Sequence, residues 1–134
     1  MSPIFIGGTG VTPTVAFQNN GLLFLKGRSM SENVSSFYNI LIEFAQEIAC
    51  STVQFSVDLE YFNTASSKKL TELFHALEIN ENIKDVKIHW YFDEEDEDSL
   101  DTAQLIEEII PKSEFIYHMH AKKVTPNTTK SSMR

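Results

Sequence analysis

The sequence has a single cysteine, Cys50, so no disulfide can close within the chain and nothing points to an oxidising compartment. A lone thiol of this kind is expected to be buried or half-buried. The opening Met1-Ser2-Pro3-Ile4-Phe5-Ile6-Gly7-Gly8 has no basic region and no long apolar run, and no apolar stretch elsewhere approaches the ~20 residues that span a bilayer. A cytoplasmic protein without direct membrane insertion is therefore expected. Cations are also scarce, and unevenly placed. Lys122, Lys123, Lys130 and Arg134 stand in the last fourteen residues, which hold no acid, so residues 1–120 carry seven Lys and Arg against nineteen Asp and Glu. A body this acidic repels phosphates, whose binding needs Lys and Arg to displace counterions, and that excludes nucleic acid as a partner.

What is present is a globular composition: 42% apolar residues, with ten Phe, four Tyr and one Trp. A chain of 134 residues fits one domain, large enough to fold without disulfide or metal staples.

Periodicity then divides the chain. Two short strands, over residues 14–18 and 22–28, are joined by Asn19-Asn20-Gly21, residues that tolerate the positive φ of a tight hairpin. Ser29 and Glu32 have the spacing of a capping box, and Val34, Phe37, Tyr38, Leu41, Ala45 and Ile48 follow at helical intervals. From Thr52 the period becomes two, with Val53, Phe55, Val57, Leu59 and Tyr61 on one face. Residues 66–80 return to helical spacing through Leu70, Leu73, Phe74 and Leu77. Val86, Ile88, Trp90 and Phe92 make another strand. An acidic run, residues 93–98, opens a third helix over 99–110 that Pro111 closes, and Phe115, Tyr117 and Met119 suggest a last strand. The expected fold is α/β, in the order β-β-α-β-α-β-α-β, a mixed sheet with helices packed on one face and the other face largely wet. One domain over residues 1–120 is expected, followed by a basic, disordered tail over 121–134.

The most informative segment is Tyr61-Phe62-Asn63-Thr64-Ala65-Ser66-Ser67-Lys68-Lys69, where a strand ends and a helix begins. It holds three hydroxyls at a helix N-terminus, where unpaired N–H groups and the dipole favour an anion. Lys68 and Lys69 lie in or near the first turn, where Asp or Glu is usual, so their charge opposes the dipole unless an anion is added. A phosphate on Thr64 would supply one; alternatively Asn63 or Thr64 is an ordinary N-cap and the lysines are solvated.

Other motifs favour plainer readings. Gly7-Gly8-Thr9-Gly10 lacks the Gly-Lys-Ser/Thr of a phosphate loop and reads as a flexible lead-in. His89, His118 and His120 could share a sheet face, and His118-x-His120 can chelate zinc. With no Cys or carboxylate in the same register, solvent-facing histidines, like His75, are expected. The acidic run lacks the glycine and ligand spacing of an EF-hand and reads as a solvated loop favouring the following helix start. No catalytic constellation stands out, so no enzyme activity, metal or cofactor is expected.

Taken together, Gly27-Arg28-Ser29-x-x-Glu32-Asn33 with Phe37-Tyr38, then Tyr61-Phe62-Asn63-Thr64-x-Ser66-Ser67-Lys68, then Trp90-Tyr91 before the acidic run resemble the SiaC family of bacterial regulatory phosphoproteins. The resemblance runs from about Thr12 to Phe115; Met30-Ser31, where a proline is expected, and the long tail depart from it. It implies a STAS-like fold, similar to anti-anti-sigma factors, and a non-enzymatic protein. It also implies a Ser/Thr kinase and a PP2C-type phosphatase acting on it, and a diguanylate cyclase that the bare form binds and activates in biofilm control. The phosphoacceptor falls on Thr64. Arg28, Glu32, Asn33, Tyr61, Phe62, Asn63, Ser66, Ser67 and Lys68 are implied as the surface that meets partners. An anti-anti-sigma role, sequestering a kinase that is also an anti-sigma factor, is the alternative output.

Overall fold

The computed structural model describes residues 2–120 and places nine elements in chain order: β1 (Ile4–Ile6), β2 (Thr14–Phe17), β3 (Leu22–Ser29), α1 (Val34–Glu47), β4 (Thr52–Phe62), α2 (Thr64–Ile79), β5 (Asp85–Asp93), α3 (Glu97–Glu107) and β6 (Ser113–His120). The six strands form one sheet in sequential order, antiparallel from β1 to β3 and parallel from β3 to β6. Each parallel step needs a crossover, and α1, α2 and α3 supply the three. The basic tail expected over 121–134 lies outside the described residues.

One face of the sheet is apolar because the strands alternate. Val15 and Phe17, Leu23 and Leu25, Val53 to Leu59 at every second residue, Val86, Ile88, Trp90 and Phe115 are buried in one cluster with Tyr38, Leu41 and Phe44 of α1 and Leu70, Leu73, Phe74 and Leu77 of α2. Phe74 is central to it, meeting Phe55, Phe115 and Trp90 edge-on with ring centroids 5.5, 5.9 and 6.3 Å apart. A fully buried Phe or Leu of this kind stabilises the fold by roughly 1.5–3 kcal/mol. On the opposite face Gln54, Ser56, His89, Tyr91 and His118 stay partly exposed.

The hairpin turn is as expected: Gly21 has φ +94°, and a Cβ there would stand 2.1 Å from the Thr52 carbonyl oxygen. Three expectations are corrected. First, the order begins with an extra strand, because Ile4 and Ile6 pack against the core. The Gly7–Gly10 stretch is a hydroxyl-held turn, not a loose lead-in: Gly8 N–H donates to Thr14 Oγ1 at 3.1 Å and Thr9 N–H to the Thr12 carbonyl at 2.8 Å.

Second, Ser29 and Glu32 form no capping box. β3 continues through Ser29, and α1 starts after Asn33 with no side-chain cap bond. Third, Tyr61 leaves the buried face. Gly27 pairs with Leu59 but Arg28 pairs with Tyr61, so Glu60 is an extra residue in β4, and Gly27 takes φ +128° beside the irregularity. One inserted residue reverses which side each later residue faces. Tyr61 is consequently 50% exposed, while Phe62 turns inward and meets Trp90 edge-on at 6.1 Å.

Candidate functional site

Parallel strands end at a common edge, so the segments after β3, β4 and β5 meet there, as they do at the carboxyl ends of open α/β sheets. β4 passes into α2 through Asn63. With extended backbone, Asn63 lets its Oδ1 accept from the Ser66 N–H at 2.8 Å, while its carbonyl accepts from the Ser67 N–H at 3.0 Å. Asn63 is thus the cap, and Thr64 is the first residue of the helix proper.

The three hydroxyls of the motif have different fates. Ser66 is 0% exposed. Its Oγ donates to the Ser29 carbonyl at 2.7 Å and accepts from Ser29 Oγ at 2.8 Å. Since each hydroxyl has one proton and Ser29 has spent its own, Tyr38 must be the donor in its 2.8 Å bond to Ser29 Oγ. Burial pushes the Tyr38 phenol up to about 12, against a smaller opposing effect of the Ser29 bond, so it remains a donor. Ser66 therefore cannot meet a partner, which corrects its place in the expected contact surface; it locks α2 to β3 and α1. The Ser67 hydroxyl donates back to the Thr64 carbonyl at 2.8 Å. Thr64 is exposed.

Around Thr64 lies a recess of about 270 Å³. Tyr61, Phe62, Asn63, Thr64 and Ser67 line one side; Asp96, Asp98, Ser99 and Thr102 line the other. The acidic run opens α3 as expected, with Asp96 Oδ1 capping the Ser99 N–H at 3.0 Å and Glu97 and Asp98 in the first turn. That it faces Thr64 was missed in the sequence. The available signal was the alternating strand and helix order, which puts the loops after β4 and β5 side by side.

Of the other expected contact residues, Arg28 is brought level with Tyr61 by strand register, and its guanidinium stands 3.8 Å from Glu60. Both partners are about half exposed, so that pair adds little stability. Glu32 and Asn33 are exposed where β3 leads into α1, and Lys68 is exposed on α2; none of the three lines the recess. Lys69 reaches away from it, to Asn39 at 3.3 Å and Glu72 at 3.4 Å.

The histidines do share the open face. His89 Nε2 bonds Gln54 Oε1 at 2.8 Å, His89 Nδ1 bonds His118 Nε2 at 2.9 Å, and His120 Nε2 bonds Asp58 Oδ1 at 3.0 Å. Tyr91 stacks on His118 and His120 at 4.5 and 5.6 Å. Burial, then the neighbouring His118 and Lys87, lower the proton affinity of His89. Among the described residues no group of three or more His, Cys, Asp or Glu is arranged to hold a metal ion, and no helix is long and apolar enough to cross a membrane. Cys50 is half-buried, and burial raises its thiol pKa.

The same architecture occurs in solved structures from Pseudomonas aeruginosa. Apo-SiaC shares 22% identity over 88% of this chain and 99% of its own, with a TM-score of 0.77. A second SiaC structure shares 23% over 90% and 100%, again at 0.77. SiaC in the crystal structure of the diguanylate cyclase SiaD with its activator SiaC shares 22% over 87% and 99%, at 0.76. At such identities the likeness is one of fold. No curated protein matches the sequence significantly. The profile of the SiaC family regulatory phosphoproteins, however, matches residues 6–120, nearly the whole described fold, and the chain belongs to that family.

Proposed function

We propose that this protein is a non-enzymatic switch in which reversible phosphorylation of Thr64 decides whether a diguanylate cyclase is bound and activated, with consequences for cyclic di-GMP and biofilm formation. The observation that carries this reading is the sorting of hydroxyls at the start of α2: Ser66 is sealed inside, Ser67 is bonded to its own helix turn, and Thr64 is exposed at the first helical position. The family is one of regulatory phosphoproteins, and a structural relative, SiaC of Pseudomonas aeruginosa, is the activator in a complex with the diguanylate cyclase SiaD.

In the forward step a Ser/Thr kinase directs Thr64 Oγ1 onto the γ-phosphorus of ATP, releasing ADP and a proton. In the reverse step a PP2C-type phosphatase uses water to return the hydroxyl and free phosphate. The bare surface around Thr64, made by Tyr61, Phe62, Asn63, Ser67 and Lys68 with Arg28, Glu32 and Asn33 on the same edge, is the docking face. A dianion there adds desolvation and like-charge costs of about 1–3 kcal/mol, which weakens docking roughly five- to 150-fold.

Thr64→Ala is expected to keep cyclase binding while accepting no phosphate from the kinase, and Thr64→Glu to weaken binding. Titration calorimetry and intact-mass analysis after kinase treatment check both. Phosphate mapped to Ser67 or elsewhere overturns the acceptor assignment. Recovery of a sigma-regulatory kinase in place of a cyclase, in a pull-down from the native cell, overturns the output.

A further inference from the structure

The far wall of the Thr64 recess is lightly held. α3 buries only Ser99, Ala103 and Ile106 along its length; Tyr117 donates to Glu107 Oε1 at 2.8 Å near its far end, and two side-chain hydrogen bonds hold its entry. Asp96 caps the Ser99 N–H, and Ser99 Oγ accepts from the Trp90 indole N–H at 3.0 Å. Trp90 also touches Phe62, two residues before Thr64. The recess and its wall are therefore linked through one buried ring.

Charge is lopsided here. Asp96 and Asp98 line the recess, and no lysine or arginine among the described residues does. The free N–H groups at the start of α2 would hold a phosphate on Thr64 close to the helix end, keeping it in the recess. Its charge of roughly −1.5 to −2 would then face two carboxylates in a partly enclosed space, where water screens less than at an open surface.

Resting on the reading of Thr64 as the acceptor, we propose that the first turn of α3 is the moving half of the switch. Phosphate on Thr64 drives Asp96 and Asp98 away, uncaps α3, frees Ser99 from Trp90 and takes apart one wall of the docking face. The phosphate then acts on this chain's own acids, whatever the charge of the partner.

Trp90 is the only tryptophan in the chain, so its emission reads this contact directly. The full chain carrying phosphothreonine at position 64, introduced during translation, is compared with the unmodified protein by fluorescence and amide hydrogen exchange. A red shift of Trp90 emission is expected, with exchange over residues 97–100 faster by about tenfold, the size of a local opening, and unchanged over α1. In Asp96→Asn/Asp98→Asn, where asparagine still caps, both responses are expected to shrink several-fold.

Identical emission and exchange with and without the phosphate overturn the proposal, as does an undiminished response in the double variant. The acceptor assignment survives that result, because phosphate mapping tests it separately.

Discussion

Two helix starts face each other across one recess, and they are built in opposite ways. α3 begins with Asp96 as cap and Glu97 and Asp98 in its first turn, so its positive end is already matched by acids. α2 begins with Asn63 as cap, no acid in its first turn, and three hydroxyls in its first four residues. Both ends have their cap hydrogen bond, yet only one has its charge. A helix start that lacks fixed negative charge can take one that comes and goes; a start that already holds three has no use for it. The two also differ in anchoring at their starts, since Ser66 ties the first turn of α2 to β3 from below while the first turn of α3 is held to the sheet through the Ser99 contact with Trp90.

The sharpest way to break this contrast is to cut the anchor of α2. Ser66→Ala leaves Ser29 Oγ without its buried acceptor and is expected to destabilise the fold by about 1–3 kcal/mol, measured by urea unfolding. Ser67→Ala, whose hydroxyl serves one exposed turn, is expected to stay within about 0.5 kcal/mol. A next step removes the cap: Asn63→Ala is expected to cost about 1 kcal/mol, with faster amide exchange at Ser66 as its local signature. On the opposite side, Asp98→Asn is expected to lose about 0.3–1 kcal/mol at low salt, and less as salt is raised. Equal effects of salt on the Asp98 and Asn63 variants would erase the distinction between a charged start and a neutral one.

The smallest effect lies on the open face. His89 holds its proton less tightly when folded than its ordinary 6.5, chiefly through burial. The unfolded chain therefore binds more protons in the window below 6.5, and stability present above that value declines as the pH falls through it. The melting temperature is expected to drop slightly between pH 7.5 and 5.5, and His89→Gln to flatten the drop. A slope unchanged in that variant would assign the response to other groups.

Much of the fold was legible because its elements have clean periods. Alternation in β4 and β5 and the stripes of α1 and α2 named most of the core, and Asn19-Asn20-Gly21 named the hairpin. Where reading failed, a local rule met a distant partner. Ser29 and Glu32 have capping-box spacing, but the Ser29 hydroxyl is claimed by Tyr38 and Ser66, so the strand runs on. Tyr61 fits the alternation of β4 until Glu60 bulges, and an isolated glycine at 27 was the only local hint. β1 was too short for its three residues to show a period.

By itself the sequence determined the family, the strand and helix alternation and the run of three hydroxyls at the start of α2, because these rest on residue types at short spacings. Tertiary structure alone decided which of three neighbouring hydroxyls is open to solvent, and that the acidic run faces it. Both depend on parallel strands ending together and on a buried hydroxyl network joining residues 37 apart in sequence, contacts that no local pattern encodes.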